Sequence, residues 1–217
     1  MSESHPTAAT IRARRTTKML ADEPLPVSDC RAVVDELIAV AGWAPFHRPC
    51  HKSHHHERAD GIEPWRCYAL DAAACRSLRE RLIADGDQTK LPRMLAAADA
   101  LVLATWLPNP PRQPLDQCGG DELFDPTLEN MEHLAAASAA VQNLLLAATE
   151  RGIANYWSSG GALRSDETFA KLNIPTDQVL LGAVFLFPSE TGGVTVNPSK
   201  LRDQRCDAGR WSRWVSV

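Results

Sequence analysis

The sequence predicts an α/β or α+β fold in which helices cover a central sheet. Two observations carry this. Ala100–Trp106 and Val179–Phe187 are short, continuous apolar runs, the mark of strands buried on both faces. Segments with apolar residues at helical spacing alternate with them, each opened by a capping residue or closed by glycine. No internal repeat is present.

The elements follow in chain order. Residues 1–10 read as a flexible polar tail ahead of a basic stretch. Ser28 and Asp29 are expected to open a helix whose apolar face is Val33, Val34, Leu37, Ile38 and Ala41, with Gly42 ending it. Residues 48–62 carry few apolar side chains and read as a His-rich surface insertion. Trp65–Leu70 reads as a strand, and Asp71 as the cap of a helix to about Ala84 with Leu78, Leu82 and Ile83 inward. Residues 107–127 hold five prolines and Gly119-Gly120, so they form an ordered, lid-like loop. The longest helix is expected from about Pro126 to Arg151, with Leu134, Val141, Leu144, Leu145 and Ala148 facing a core. Its 135–140 segment is alanine and serine around the whole circumference, which lets another helix approach closely. Gly152 is the expected C-cap, and Ser165, followed by Asp166 and Glu167, opens a further helix.

The 217 residues, 44 % of them hydrophobic, suit one globular domain, taken as 11–217. A net charge of −4 gives no basic footprint for nucleic acid. No apolar run is long enough to span a membrane, and the N-terminus lacks a signal-peptide profile, so a cytoplasmic protein is expected. The six scattered cysteines form no CxxC pair and read as free thiols. Neither GxGxxG nor a Walker loop follows a strand, and no GxSxG elbow occurs.

Three segments could carry chemistry. Arg14-Arg15-Thr16-Thr17-Lys18 offers a guanidinium, a hydroxyl and an ammonium at alternate positions, which share one side of an extended chain and suit a phosphate. Ala44-Pro45-Phe46-His47 follows the first helix, and Pro64-Trp65-Arg66 follows the insertion. Gly152–Gly161 feeds a short apolar piece into a Ser/Gly turn whose N–H groups could receive an anion or a ring edge. The histidines at 47, 51, 54, 55 and 56 invite a metal, since His47/His51 and His51/His55 are spaced i, i+4. They sit in no HExxH frame, and no metal site is assigned. Cys67 and Cys75 read as small core residues.

In this order the segments resemble the nitroreductase family over about residues 11–190. Arg14, Thr16 and Lys18 are similar to its opening Arg-x-Ser/Thr-x-Lys/Arg pattern. Ala44–His47 resembles its small-Pro-x-His segment, and Pro64–Arg66 its Pro-Trp-Arg. Ala140–Ala148 resembles its long central helix, Trp157-Ser158-Ser159-Gly160 its Trp-x-Ser-Gly turn, and Leu181–Pro188 its last core strand. Two departures stand out: the long insertion between His47 and Pro64, and Met19-Leu20 in place of an aromatic after the basic motif.

The resemblance implies a mixed, mainly antiparallel sheet covered by helices, in a homodimer with FMN at the subunit interface. It implies ping-pong transfer of electrons from NAD(P)H to a nitroaromatic, quinone or similar acceptor. The flavin carries that chemistry, so no catalytic residue is assigned. By the resemblance, Arg14, Arg15, Thr16 and Lys18 hold the FMN phosphate and ribityl chain. Pro45, Phe46 and His47 line the isoalloxazine from one subunit, and Trp157, Ser158, Ser159 and Gly160 approach it from a loop. Lys200 or Arg202 adds a C-terminal phosphate ligand. Other flavin chemistry on the same fold, such as dehalogenation or enone reduction, and a non-catalytic flavin- or metal-binding protein, are the alternatives.

Overall fold

Asp71 sits between a strand and a helix and sets the pattern for the chain. Its side chain accepts from the Ala74 amide, which ends β2 (Trp65–Asp71) and opens α3 (Ala72–Ala84). The computed structural model describes residues 6–56, 59–111, 124–189 and 194–216. The remaining elements are α1 (Pro6–Ala13), β1 (Thr17–Leu20), α2 (Arg31–Ala41), α4 (Leu91–Ala97), β3 (Ala100–Trp106), α5 (Leu128–Glu150), β4 (Ala154–Ser158), α6 (Asp166–Leu172), β5 (Val179–Phe187) and β6 (Thr195–Pro198).

The main sheet has the order β2-β3-β5-β4, with every pair antiparallel. The two apolar runs, β3 and β5, take its centre, where both faces are covered. A second ribbon pairs β1 with β6. Thr16 bridges Asn155 in parallel, tying that ribbon to the edge strand β4 and making the arrangement mixed. Alternation along β3 splits the core in two. Leu101 and Leu103 join Leu78, Leu82, Leu95, Phe169, Phe185 and Phe187 under α3, α4 and α6. Val102, Ala104 and Trp106 join Val34, Leu37, Val141, Leu144 and Leu145 under α2 and α5.

The long helix begins at Leu128, where the Thr127 side chain accepts from the Asn130 amide. It ends at Gly152 (φ 73°), with Gly152 N–H bonded to Thr149 O and Ile153 N–H to Ala148 O. Ser165 caps α6 as expected, and Asn173 ends it in the left-handed region. Among the described residues, no helix is long and apolar enough to cross a membrane.

Several expectations are corrected. Residues 6–10 of the expected tail belong to α1. Ser28 and Asp29 do not open α2, which starts at Arg31. Cys30 precedes it without a side-chain cap, and Asp29 accepts from the Arg31 amide. Ile83 is 47 % exposed, one position off the inward face of α3.

Most described residues of the insertion are exposed, as expected of a surface segment, but it makes a 3-10 turn at Lys52–His54 and buries Cys50 and His54. The buried Arg66 guanidinium organises it. Nε donates to Ala59 O, Nη1 to Glu63 O and Trp65 O, and Nη2 to Gly61 O, with longer contacts to His54 O and Cys50 Sγ. No carboxylate partner is found among the described residues, so carbonyl dipoles solvate this cation. Of the expected lid-like loop, residues 112–123 lie outside the described residues.

Candidate functional site

The basic segment falls where the two sheets meet. Helix α1 closes at Ala13, and Arg14 N–H still bonds back to Thr10 O. From there the chain extends into β1. Thr16 bridges Asn155 and accepts from the Ser199 amide, while Lys18 Nζ sits 4.7 Å above the Tyr156 ring centre. Arg202 reaches back across 188 residues and donates to Arg14 O (2.5 Å) and Arg12 O.

This packing gathers positive charge. Burial, then Arg205, then Arg202 lower the Arg14 pKa from its usual value. Among the described residues, Arg14, Arg202 and Arg205 form no salt bridge. A half-buried guanidinium beside two like charges is unfavourable until an anion joins it, and a phosphate dianion suits three cations.

Asn155 adds a second signal. It is 2 % exposed, and its Nδ2 donates to Thr149 Oγ1 and Ile153 O. Its Oδ1 is buried with no hydrogen-bond partner. An orphaned acceptor beside the Thr16 bridge fits a ligand that carries hydroxyl or N–H donors. These residues fit a phosphate-bearing cofactor with a polyol or amide portion.

Strand β4 leads from Asn155 to the Ser/Gly turn. Ser158 Oγ accepts from Gly160 N–H, and Gly160 has φ 107°, which excludes ordinary side chains. Arg164 clamps the turn to β5: Nε donates to Ser159 O at 2.5 Å, and the Nη groups to Leu180 O and Leu181 O. Trp157 lies across Gly182, where an added Cβ would come within 2.0 Å of its Nε1 and 2.8 Å of Ser158 O. Replacing Gly182 by alanine is therefore expected to displace Trp157 and destabilise the fold by about 1–3 kcal/mol. Thermal unfolding followed by tryptophan fluorescence checks this; an unchanged melting point and spectrum would refute it.

The Ala44–His47 segment lies apart. Phe46 packs edge-on against Trp65, with centroids 5.7 Å apart, while Pro45 and His47 are exposed. Among the described residues, no hydrogen bond, ion pair or ring contact joins Pro45–His47 to Arg14–Lys18 or to Trp157–Gly160. The chain thus brings two of its three candidate segments together. Arg15 and Ser159 are exposed at the rim of this region.

The Pro-Trp-Arg segment is structural here, through the Arg66 network and the Trp65 ring. Sequence reasoning missed Asn155, Arg164, Gly182 and Arg205. An asparagine inside a strand and a glycine inside a central strand are the signals that mark Asn155 and Gly182. Cys67 and Cys75 are unsuited to nucleophilic chemistry at neutral pH: burial pushes Cys67 up to about 11 and Cys75 to about 12.

Comparison with known proteins places this fold. The chain is similar to a nitroreductase-like family protein from Bacillus cereus, at 19 % identity and TM-score 0.58, over all of both chains. It is similar to a nitroreductase from Desulfovibrio desulfuricans in complex with FMN, at 20 % identity and TM-score 0.58, over 99 % of each chain. An FMN- and NADPH-dependent nitroreductase from Sphigopyxis sp. strain HMH shares 12 % identity at TM-score 0.59, over 98 % of this chain and 100 % of that one. No curated protein matches. The Nitroreductase family profile matches residues 11–186, and the chain belongs to the nitroreductase family.

Proposed function

We propose that this protein is an FMN-dependent NAD(P)H oxidoreductase that reduces nitroaromatic, quinone or similar organic acceptors by a ping-pong mechanism in the cytoplasm. The observation that carries the reading is the cluster of Arg14, Arg202 and Arg205, unpaired among the described residues, beside the orphaned Asn155 acceptor. FMN, when bound, supplies two-electron chemistry between a nicotinamide nucleotide and the acceptor. Arg14 and Arg202 hold the phosphate as charged donors, with Arg15 and Lys200 at the rim. Thr16 and Lys18 line the ribityl path, and Asn155 Oδ1 accepts from a cofactor donor. Trp157–Gly160, held by Arg164, approach the ring system as a turn whose Gly160 N–H is already engaged by Ser158 Oγ. No acid or base of the chain has to act in this scheme.

The separation of Pro45, Phe46 and His47 from the basic cluster supports a homodimer in which one copy supplies these residues to its partner's flavin. Helix α5 supports it as well. Ala136, Ala137 and Ala140 are spent on the chain's own core. Its outer stripe is apolar or small at helical spacing at Leu128, Met131, Ala135, Ser138 and Leu146, interrupted by the polar Gln142. Leu128 and Met131 are 63 % and 57 % exposed, an unusual surface for a lone chain. A two-fold contact along this stripe would bring small side chains face to face.

The purified protein is expected to be yellow, with near one FMN per chain. Heat-released cofactor compared with FMN, FAD and riboflavin standards decides this. Colourless protein that takes up no added FMN would sink the proposal. Light scattering behind a sizing column is expected to give twice the chain mass. A monomer that retains tight FMN would remove the shared site while leaving flavin binding intact.

A further inference from the structure

His54 alone among the five histidines of residues 47–56 is enclosed, at 1 % exposure. Its Nε2 lies 2.7 Å from Pro108 O. A carbonyl oxygen only accepts, so Nε2 carries a proton. Nδ1 lies 3.0 Å from Asp177 Oδ2. The carboxylate stands off the N–H line, so this contact is an ion pair rather than an aligned hydrogen bond. A bare Nδ1 would turn its lone pair toward a carboxylate oxygen in an enclosed place. Only a ring protonated at both nitrogens donates to Pro108 O and also turns positive charge toward Asp177.

Three separate parts of the chain meet at this ring. His54 ends the 3-10 turn of the insertion, Pro108 follows β3, and Asp177 precedes β5. With Ser53 it forms one wall of a cavity of about 720 Å³, whose other sides include Phe124, Phe169, Arg164 and Gln178. We propose that His54 is a proton-operated latch: as an imidazolium it fastens the His-rich insertion to Pro108 and Asp177 and closes this wall of the cavity.

The sign follows from the charges. The proton adds attraction to Asp177, 3.0 Å from Nδ1, so the closed latch is favoured at low pH and loosens at high pH. The other charged groups around the ring divide. His56 Nε2 lies 4.0 Å from Asp177 Oδ1, a second ring facing the same carboxylate. Arg66, which donates to His54 O at 3.4 Å, opposes a charged ring, and its carbonyl shell spreads that charge. Arg164 and Asp166 face the cavity with opposite signs. The inference is independent of what binds at Arg14.

Two measurements on the intact protein test it. Two-bond proton–nitrogen spectra of 15N-histidine-labelled protein are expected to show His54 protonated at both nitrogens at the low end of the range from about pH 5.5 to 8. Hydrogen exchange, corrected for its intrinsic pH dependence, reads the insertion through the Cys50 and His54 amides, which bond to Ile62 O and His51 O. Their protection is expected to fall by about fivefold over that range, the upper end for an ion pair with one exposed partner. In Asp177→Asn protection starts lower by a similar factor and is flat with pH. His54→Gln, which keeps a donor for Pro108 O without the charge, behaves likewise. A singly protonated His54 at low pH, a flat wild-type profile, or an unaltered slope in Asp177→Asn overturns the proposal.

Discussion

Replacing Arg14 by alanine is expected to weaken FMN binding by about ten- to a hundredfold, because a charge-assisted contact to phosphate contributes roughly 1.5–3 kcal/mol. Arg14 is held in place before any ligand arrives. Its amide bonds back to α1, its carbonyl accepts from Arg202, and β1 continues from it into the ribbon with β6. That order means little backbone freedom remains to be lost on binding. The free protein instead carries the cost of half-burying Arg14 beside two further cations: burial, then Arg205, then Arg202 lower its pKa. Removing Arg14 therefore relieves repulsion in the empty state while deleting a ligand contact in the bound state. The variant should be as stable as wild type, or more so, when stripped of flavin, and less stable in excess FMN. A merely structural Arg14 would give the opposite order.

Arg202→Ala should lose at least as much affinity, since it removes a charge and also frees the Arg14 carbonyl. The two losses should not add, because the residues touch. High salt should narrow the difference between wild type and both variants. Flavin fluorescence titration at two ionic strengths, with unfolding midpoints in the presence and absence of FMN, reads all of this. Unchanged affinity in both variants would place the phosphate elsewhere.

What the sequence made legible, and what it did not, divides along a physical line. Asp71, Ser165 and Gly152 act on amides and carbonyls within a few residues, so local chemistry marked those boundaries well. The runs at β3 and β5 are apolar on both faces and could only be central. Helix α4 escaped notice because its seven residues are held from outside. Arg76, on α3, donates to Leu95 O, Ala98 O and Leu25 O and so caps the carbonyl end of α4 and its neighbouring loop. The β1–β6 ribbon was equally hidden, since its four exposed β6 residues carry no alternating pattern. At the candidate site, Arg14, Thr16 and Lys18 were visible as a motif. Asn155 and Arg205 were not, because their roles exist only once β4 and the C-terminal segment come alongside β1.

The insertion is the sharpest case. Its composition says surface, yet its conformation is set by a residue outside it. Arg66→Ala is expected to destabilise the protein by about 3–5 kcal/mol, the range for disrupting a buried charged network. Four carbonyls within hydrogen-bond reach, on Ala59, Gly61, Glu63 and Trp65, would lose their donor together. Part of that cost is recovered if the segment opens to water, so the loss should be split. Amides of residues 48–62 should lose protection against hydrogen exchange, while those of β3 and β5 keep theirs until global unfolding. The melting point should fall by roughly 10 °C for a chain of this size. Arg66→Lys should rescue little, because an ammonium has three donors on one atom and cannot span carbonyls placed around a planar fork. Scanning calorimetry and peptide-resolved exchange separate these effects. A lysine variant as stable as wild type would mean that charge alone, not the geometry of the guanidinium, holds the insertion against β2.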